Sequence, residues 1–248
     1  MAYSLRTMMV NVNACRAAAV PGGFLPLLCV CLPLLEVLLL NLSVRELAIL
    51  IPVILASLTV HELSHAVVSL ALGDDTAKRA GRVTLNPLRH VDPFGFLLLV
   101  VAGFGWAKPV TFDRSKLSSP VRDEILVSFA GPASNLVLAF LGALAIRLIV
   151  SVSGTGTGIA LEAAFIFCSI NIVLAVFNAL PVPPLDGSHL YMAYLSKRNP
   201  TAALALSRYG FLFLVVLIFA GRFTGVDLLP IRRITQTILT GMLRVVGV

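Results

Sequence analysis

Charged residues are scarce in this chain. They make up 12% of its 248 residues, whereas hydrophobic residues make up 58% and the mean hydropathy is +0.96. A soluble domain is about a quarter charged, because its surface must stay in water. The deficit excludes a soluble globular protein. It predicts an all-α polytopic membrane protein with no room for a separate soluble domain.

Cysteine is also scarce, and its spacing lacks the pattern of a metal-binding cluster. No Cys-x-x-Cys pair is present, which excludes a zinc knuckle. Cys29, Cys31 and Cys168 lie in apolar runs, as small buried residues do.

Acidic residues are outnumbered, and the net charge is +7. A basic protein can bind nucleic acid, but such a protein would not be this apolar, so no nucleic-acid partner is expected. In a membrane protein, the excess indicates cytoplasmic loops and contact with anionic lipid of the bilayer.

The N-terminus lacks acidic residues through position 35 and carries Arg6 and Arg16 ahead of the apolar run 24–40. A signal peptide has such a pattern, but no small-residue cleavage site follows cleanly. We therefore predict a first membrane span that is retained. An organellar transit segment stays open as an alternative.

Five apolar stretches are close to the roughly 20 residues that a bilayer requires. We predict spans at 24–42, 47–72, 125–152, 159–180 and 202–220.

Two further apolar stretches do not fit the five-span scheme. Residues 94–106 are too short and too rich in glycine for a span, so a re-entrant or interfacial segment is expected. In residues 231–246, the apolar residues lie on one face of a helix and the basic residues lie largely on other faces. This pattern predicts an amphipathic interfacial helix, with a sixth span as the alternative.

The basic residues predict the orientation of the spans. Most lie in segment 73–123, which contains Lys78, Arg79, Arg82, Arg89, Lys108, Arg114, Lys116 and Arg122. The linkers 41–46 and 153–158 contain only Arg45. The positive-inside rule therefore places segment 73–123 in the cytoplasm. Arg222, Arg232 and Arg233 would then lie outside, which does not fit the rule.

One short motif carries catalytic chemistry. His61 and His65 are four residues apart in an apolar helix, so both face the same side and can bind one Zn²⁺. Glu62 lies beside the open position of such a metal, where it can take a proton from water. A polar cluster that merely joins helices is the structural alternative, although ionisable groups inside a membrane are functional by default.

A catalytic zinc needs a third protein ligand, and Asp186 is the best candidate. The prolines after Asn178 end the fourth span, and Gly187 allows a tight turn beside Asp186. In the predicted topology, Asp186 and His65 lie toward the cytoplasmic ends of their helices. Asp186 could alternatively be a turn-former or helix cap.

With these motifs in place, the chain resembles the site-2 protease family of intramembrane zinc metalloproteases over roughly residues 47–190. Besides the His61–His65 motif, the resemblance includes four stretches in the family's order: GRVTLNPLRHVDPFG at 81–95, GWAKPV at 105–110, FAGPASN at 129–135 and NALPVPPLDG at 178–187.

The resemblance implies a catalytic site and its surroundings. It implies His61, His65 and Asp186 as zinc ligands, Glu62 as the catalytic acid/base, and Asn178 and Asn135 as polar groups near the site. It also implies a three-helix catalytic core at 47–190 with a small β-hairpin or re-entrant element, flanked by accessory helices at 1–46 and 191–248. The linker at 153–158 has no room for the PDZ-like insertion of larger relatives, and no CBS-type domain is expected.

The expected reaction is hydrolysis of peptide bonds in or near transmembrane segments of membrane proteins, in regulated intramembrane proteolysis. Asn178 or Asn135 could donate to the oxyanion, with interhelical hydrogen bonding as the alternative role. Segment 82–85 is strand-like and could pair with an extended substrate, or could be a plain turn. His90 and His189 are not expected to bind the metal.

Two other functions stay open. One is a proteolytically silent membrane scaffold of the same fold, although Glu62 argues against it because zinc binding does not need this residue. The other is a metal-ion transporter, which would usually show repeats or paired broken helices. The expected location is the cytoplasmic membrane of a bacterium, with an organellar membrane as the alternative.

Overall fold

The computed structural model describes residues 43–102, 105–153, 158–224 and 229–248. The predicted first span at 24–42 lies outside the described residues. The helices of the described residues are α1 (Val44–Ala71), α2 (Thr76–Arg79), α3 (Pro93–Ala102), α4 (Pro120–Ser153), α5 (Ile159–Asn178), α6 (His189–Arg198), α7 (Pro200–Thr224) and α8 (Ile231–Val246). Short 3₁₀ turns occupy Pro87–Arg89, Arg114–Lys116 and Asp186–Ser188.

Helix α1 begins and ends at residues suited to those positions. Ser43 and Glu46 form a capping box, in which the Glu46 N–H donates to Ser43 Oγ (3.2 Å) and the Ser43 N–H donates to Glu46 Oε2 (2.8 Å). This arrangement satisfies two N–H groups that a helix start leaves unpaired. Gly73 follows the helix at φ +103°, which an L side chain rarely adopts.

Four of the described helices are long and apolar enough to cross a membrane. They are α1, α4, α5 and the Pro200–Ile218 part of α7. They correspond to the predicted spans 47–72, 125–152, 159–180 and 202–220. The protein is therefore an integral, all-α membrane protein. Helix α4 begins five residues before the predicted span, at Pro120, because proline is well suited to the first turn of a helix.

The core lies where α1, α4 and α5 pack against one another. Ala139 and Ala143 of α4 contact Cys168 and Ile172 of α5 in one cluster of fully buried side chains. Leu50 and Ile54 of α1 pack on Ile166 and Ile170 of α5 in a second cluster. Small residues on α4 let the backbones approach closely, as in other membrane helix pairs.

The predicted re-entrant segment 94–106 contains the ten-residue helix α3. A helix of this length extends only about 15 Å, half of the hydrocarbon thickness. An isolated antiparallel bridge between Val91 and Ala107 joins the two sides of this segment. This bridge is the only β pairing in the described part of the chain, so a full β-hairpin is not seen there.

Of the two alternatives for segment 82–85, the structure has the turn and not the strand, since residues 83–85 are bends. The physical reason is Arg82, whose side chain is buried and donates to the carbonyl groups of Arg89 and Lys108. These bonds fold the segment inward around the guanidinium group. Val83 and Leu85 remain exposed.

Helix α8 has the predicted amphipathic character. Thr235 and Leu239 are fully buried against α4 and α5, while Arg232 and Arg233 are exposed. Its apolar face therefore packs on the helix bundle. Gly247 ends the helix at φ +81°.

Candidate metal centre

The two histidines of the motif lie on one side of α1 and are both buried. Their ring centroids are 4.7 Å apart, and their Nε2 atoms are 3.1 Å apart. The four-residue spacing on a helix produces this approach directly. Both nitrogens can therefore bind a single ion.

Asp186 completes the group from a distant part of the sequence. Its Oδ2 atom lies 3.2 Å from His61 Nε2 and 3.4 Å from His65 Nε2. The turn that presents it is tight, because a Cβ atom on Gly187 would lie only 2.2 Å from the Ala179 carbonyl oxygen. Only glycine therefore fits after Asp186 in this turn.

The hydrogen bonds of the imidazole rings leave both Nε2 atoms facing Asp186 as acceptors. His65 Nδ1 is 2.7 Å from the Val127 carbonyl oxygen, which can only accept, so Nδ1 carries the proton. His61 Nδ1 is 2.6 Å from Asn135 Oδ1 and is protonated in the same way. Two nitrogen lone pairs then converge with Asp186 Oδ2, which is buried and has no hydrogen-bond partner.

This donor set fits a zinc ion. The three ligand atoms lie within 4.8 Å of one another. Three acceptors buried together without a donor repel one another, and a cation removes that penalty. Two imidazoles and one carboxylate are a common ligand set of catalytic zinc.

Gly131 of α4 provides the space beside the histidines. A Cβ atom there would lie 2.4 Å from His65 Nε2 and 2.6 Å from His61 Nε2. Glycine at this position lets α4 approach the two Nε2 atoms. The sequence stretch 129–135 pointed to this region, but not to this contact.

Glu62 is buried next to the histidines, and the sequence did not reveal its two neighbours. The Val110 N–H donates to Glu62 Oε2 (3.2 Å), and Arg82 Nη2 lies 3.9 Å from the same oxygen. Arg82 also binds the carbonyls of Arg89 and Lys108. Segment 105–113 is thereby held across Glu62. Nothing in the sequence around Arg82 indicated that its side chain would lie beside Glu62.

A second charged group lies beside the site. Glu124 is buried on α4, its Oε1 accepts from His189 Nδ1 (2.7 Å), and its Oε2 pairs with Arg114. Burial lowers the pKa of His189, although the negative charge of Asp186 opposes the shift. The hydrogen bond with Glu124 holds His189 against α4. His90, the other histidine outside the motif, is within hydrogen-bonding distance of the Thr84 carbonyl (2.8 Å).

The two predicted asparagines lie in different surroundings. Asn178 Nδ2 donates to the Leu174 carbonyl of its own helix (2.9 Å). Asn135 is fully buried and connects His61 to Asn171, another fully buried residue. Asn171 was missed, although an asparagine in the middle of an apolar helix is itself a signal.

Comparison with known proteins identifies the family. The model of peptidase family M50 matches residues 153–217. The chain is 42% identical over 173 residues to the protein named "Putative zinc metalloprotease YwhC" of Bacillus subtilis (strain 168), covering 66% of this chain and 77% of that protein. This chain belongs to peptidase family M50, the site-2 protease family.

Other relatives carry the same class of name. The protein named "Putative zinc metalloprotease Rip2" of Mycolicibacterium smegmatis is 30% identical over 66% of this chain and 64% of its own length. The protein named "Putative zinc metalloprotease Rip3" of Mycobacterium tuberculosis (strain H37Rv) is 35% identical over 68% of this chain. The match spans only 37% of the length of Rip3. No solved structure matches the chain.

Membership of the family, together with the helices and the donor set, makes this protein a membrane-embedded metalloprotease that uses zinc. It is a hydrolase by class.

Proposed function

We propose that this chain is an endopeptidase that cleaves peptide bonds in or near transmembrane segments of other membrane proteins. We further propose that His61, His65 and Asp186 hold its zinc ion. The observation that carries both proposals is that three buried acceptor atoms meet beside Glu62. His61, Glu62 and His65 lie on a helix that is long and apolar enough to cross a membrane.

The residues around the ion have distinct tasks. When bound, zinc supplies Lewis acidity, which polarises a carbonyl oxygen and acidifies water. Glu62 takes the proton of the attacking water at a carboxylate oxygen and later delivers it to the leaving amine nitrogen. The Val110 N–H and Arg82 hold the Glu62 carboxylate in place before reaction.

The oxyanion-donor roles of Asn178 and Asn135 stay predictions. The amide of Asn178 would have to release the Leu174 carbonyl in order to donate to a substrate. The NH₂ group of Asn135 would have to leave Asn171 in order to donate to a substrate. Asn178 supports the role better, because its side chain is only partly buried and holds a single bond within its own helix.

A substrate helix has to unwind locally before its backbone can be cleaved, because a helix bonds its carbonyls internally. Pairing of such a segment with residues 82–85 stays a prediction, and the exposure of Val83 and Leu85 supports it.

The proposed location is the cytoplasmic membrane of a bacterium, with the site toward the cytoplasm. The basic residues of segment 73–123 and the bacterial relatives support this placement.

The test compares wild type with Glu62→Gln, both purified in detergent, for zinc content and for cleavage of model membrane peptides. We expect equal zinc and a fall in cleavage of at least about 10²-fold, the range of general acid–base catalysis. Glu46→Gln is the matched control, since it makes the same change in the exposed capping box of the same helix.

Cleavage that survives in Glu62→Gln would refute the mechanism. Equal zinc without cleavage by wild type would favour a silent scaffold. Zinc flux into vesicles with wild-type protein, unaffected by Glu62→Gln, would favour a transporter.

A further inference from the structure

A chain of buried polar side chains links His61 on α1 to α5. His61 Nδ1 meets Asn135 Oδ1 (2.6 Å), Asn135 Nδ2 donates to Asn171 Oδ1 (2.8 Å), and Asn171 Nδ2 donates to Ser57 Oγ (2.9 Å). Asn135, Asn171 and Ser57 are 0% exposed. The catalytic tasks described above leave Asn171 without a role.

A backbone carbonyl determines which atoms donate and which accept along this series of hydrogen bonds. Asn171 Nδ2 lies 2.8 Å from the Phe167 oxygen, which can only accept a hydrogen bond. The NH₂ group of Asn171 must therefore point to Phe167, and its Oδ1 atom must point to α4.

Donors and acceptors then alternate up to the metal site. Because Asn171 Oδ1 accepts, Asn135 must present its NH₂ group to α5 and its Oδ1 atom to His61. His61 Nδ1 must in turn carry a proton. A neutral imidazole has one N–H, so Nε2 keeps the lone pair that faces Asp186.

We infer that Asn171 is a positioning residue of the zinc site, which fixes the amide of Asn135 and through it the tautomer of His61. The inference rests on the proposal that His61 binds zinc. His65 needs no such relay, because its Nδ1 donates directly to the Val127 carbonyl. Without Asn171, the amide of Asn135 keeps only a long contact of 3.4 Å to the Ser57 carbonyl and can rotate.

Replacement of Asn171 by an apolar side chain of similar size tests the relay. In Asn171→Leu, Asn135 can turn its NH₂ group to His61, which favours the tautomer with a proton on Nε2. We expect a mixed tautomer of His61 in the metal-free protein, measured by ¹⁵N NMR of labelled histidine and assigned with His61→Ala. Zinc affinity, measured by chelator competition, should fall about tenfold, the lower end of the effect of residues behind a metal ligand.

Ser169→Ala is the matched control. Ser169 is buried on the same helix, its Oγ atom has no hydrogen-bond partner, and it lies outside the relay. The tautomer and the zinc affinity should equal those of wild type. An Asn171→Leu protein with the wild-type tautomer of His61 would overturn the inference.

A second comparison does not require Asn171→Leu to fold by itself. In Asn135→Asp, a carboxylate oxygen faces Asn171 Oδ1, and the two acceptors repel each other. The double variant Asn135→Asp/Asn171→Leu removes that repulsion, and the carboxylate still accepts from His61 at either oxygen. We therefore expect the double variant to bind zinc more tightly than Asn135→Asp.

A purely structural role of Asn171 predicts the opposite order, with weaker zinc binding in the double variant, and that result would refute the relay. The proposed ligand set is tested separately by His61→Ala. If this variant binds zinc with wild-type affinity, the ligand proposal fails. An unchanged tautomer in Asn171→Leu would instead refute the relay alone.

Discussion

At the scale of single residues, the site depends on close approach as much as on its ligands. His61, His65 and Asp186 supply the acceptor atoms, but two glycines decide whether these atoms can meet. Gly187 lets the turn after Asp186 contact the Ala179 carbonyl, and Gly131 brings α4 against the imidazoles. Neither glycine bears a chemical group that would mark it as part of a metal site.

Gly131→Ala should lower zinc affinity by at least about tenfold, the effect of disturbing the surroundings of a metal ligand. The added methyl group would lie 2.4 Å from His65 Nε2, and the ring cannot yield without losing its bond to the Val127 carbonyl. Chelator competition measures the change. Gly241→Ala on α8 is the control, because nothing lies within 4 Å of its added methyl group. Unchanged zinc affinity in Gly131→Ala would show that α4 can move away at little cost.

At the scale of elements, hydrogen bonds connect the turn after α1 to segment 105–113, which lies across Glu62. Asp74 is fully buried and accepts from the N–H groups of Asp113 (2.7 Å) and Thr76 (2.9 Å). Lys116 binds Asp75 Oδ1 at 2.8 Å. These bonds hold segment 105–113 in place, and with it the Val110 N–H against Glu62.

This fastening should depend on pH. Burial raises the pKa of Asp74, but the hydrogen bonds from Thr76 and Asp113 outweigh it and hold the pKa below its ordinary value. The stabilisation is therefore present above the unfolded-state pKa of about 3.9 and is lost as the pH falls through the lower folded-state pKa. Asp74→Asn should lower the free energy of unfolding in detergent by about 1–3 kcal/mol at pH 7.

The difference between wild type and Asp74→Asn should shrink as the pH falls below about 4. Asp75→Asn is the matched control, since its ion pairs with Arg79 and Lys116 lie at the surface, where water screens them and they add little to stability. A loss of stability in Asp74→Asn that stays constant down to pH 2 would argue against an ionised Asp74 in the folded protein.

At the scale of the whole molecule, α8 ties the end of the chain to the bundle. It packs on α4 and α5, and Arg147 of α4 donates to the Gly247 carbonyl. The division into 1–46, 47–190 and 191–248 stays a prediction. The contacts of α8 with α4 and α5 show that segment 191–248 packs against segment 47–190.

The orientation in the membrane can be tested with single cysteines in a cysteine-free background. Val44→Cys places an exposed thiol at the first residue of α1, and Lys78→Cys places one in α2, beyond the other end of α1. An impermeant maleimide should label Lys78→Cys only from the cytoplasmic side and Val44→Cys only from the other side, as the positive-inside rule predicts. The reverse labelling pattern would place the site away from the cytoplasm.

The sequence by itself determined what depends on local spacing and composition. The apolar runs gave four spans found in the described residues, since a bilayer selects length and hydropathy. The four-residue spacing brought His61 and His65 together, because helix geometry is fixed. The amphipathic pattern gave α8, and the order of several motifs gave the family.

Only the tertiary structure decided which groups from separate elements touch. Arg82 buries its guanidinium group beside Glu62, and residues 83–85 form bends next to it, which the sequence pattern does not show. Asn171 joined the path to His61 because α1, α4 and α5 pack against one another and bring Asn171 within hydrogen-bonding distance of Asn135 and Ser57. In a membrane interior a buried polar group without a partner is costly, and packing of the helices selects which partner is within reach.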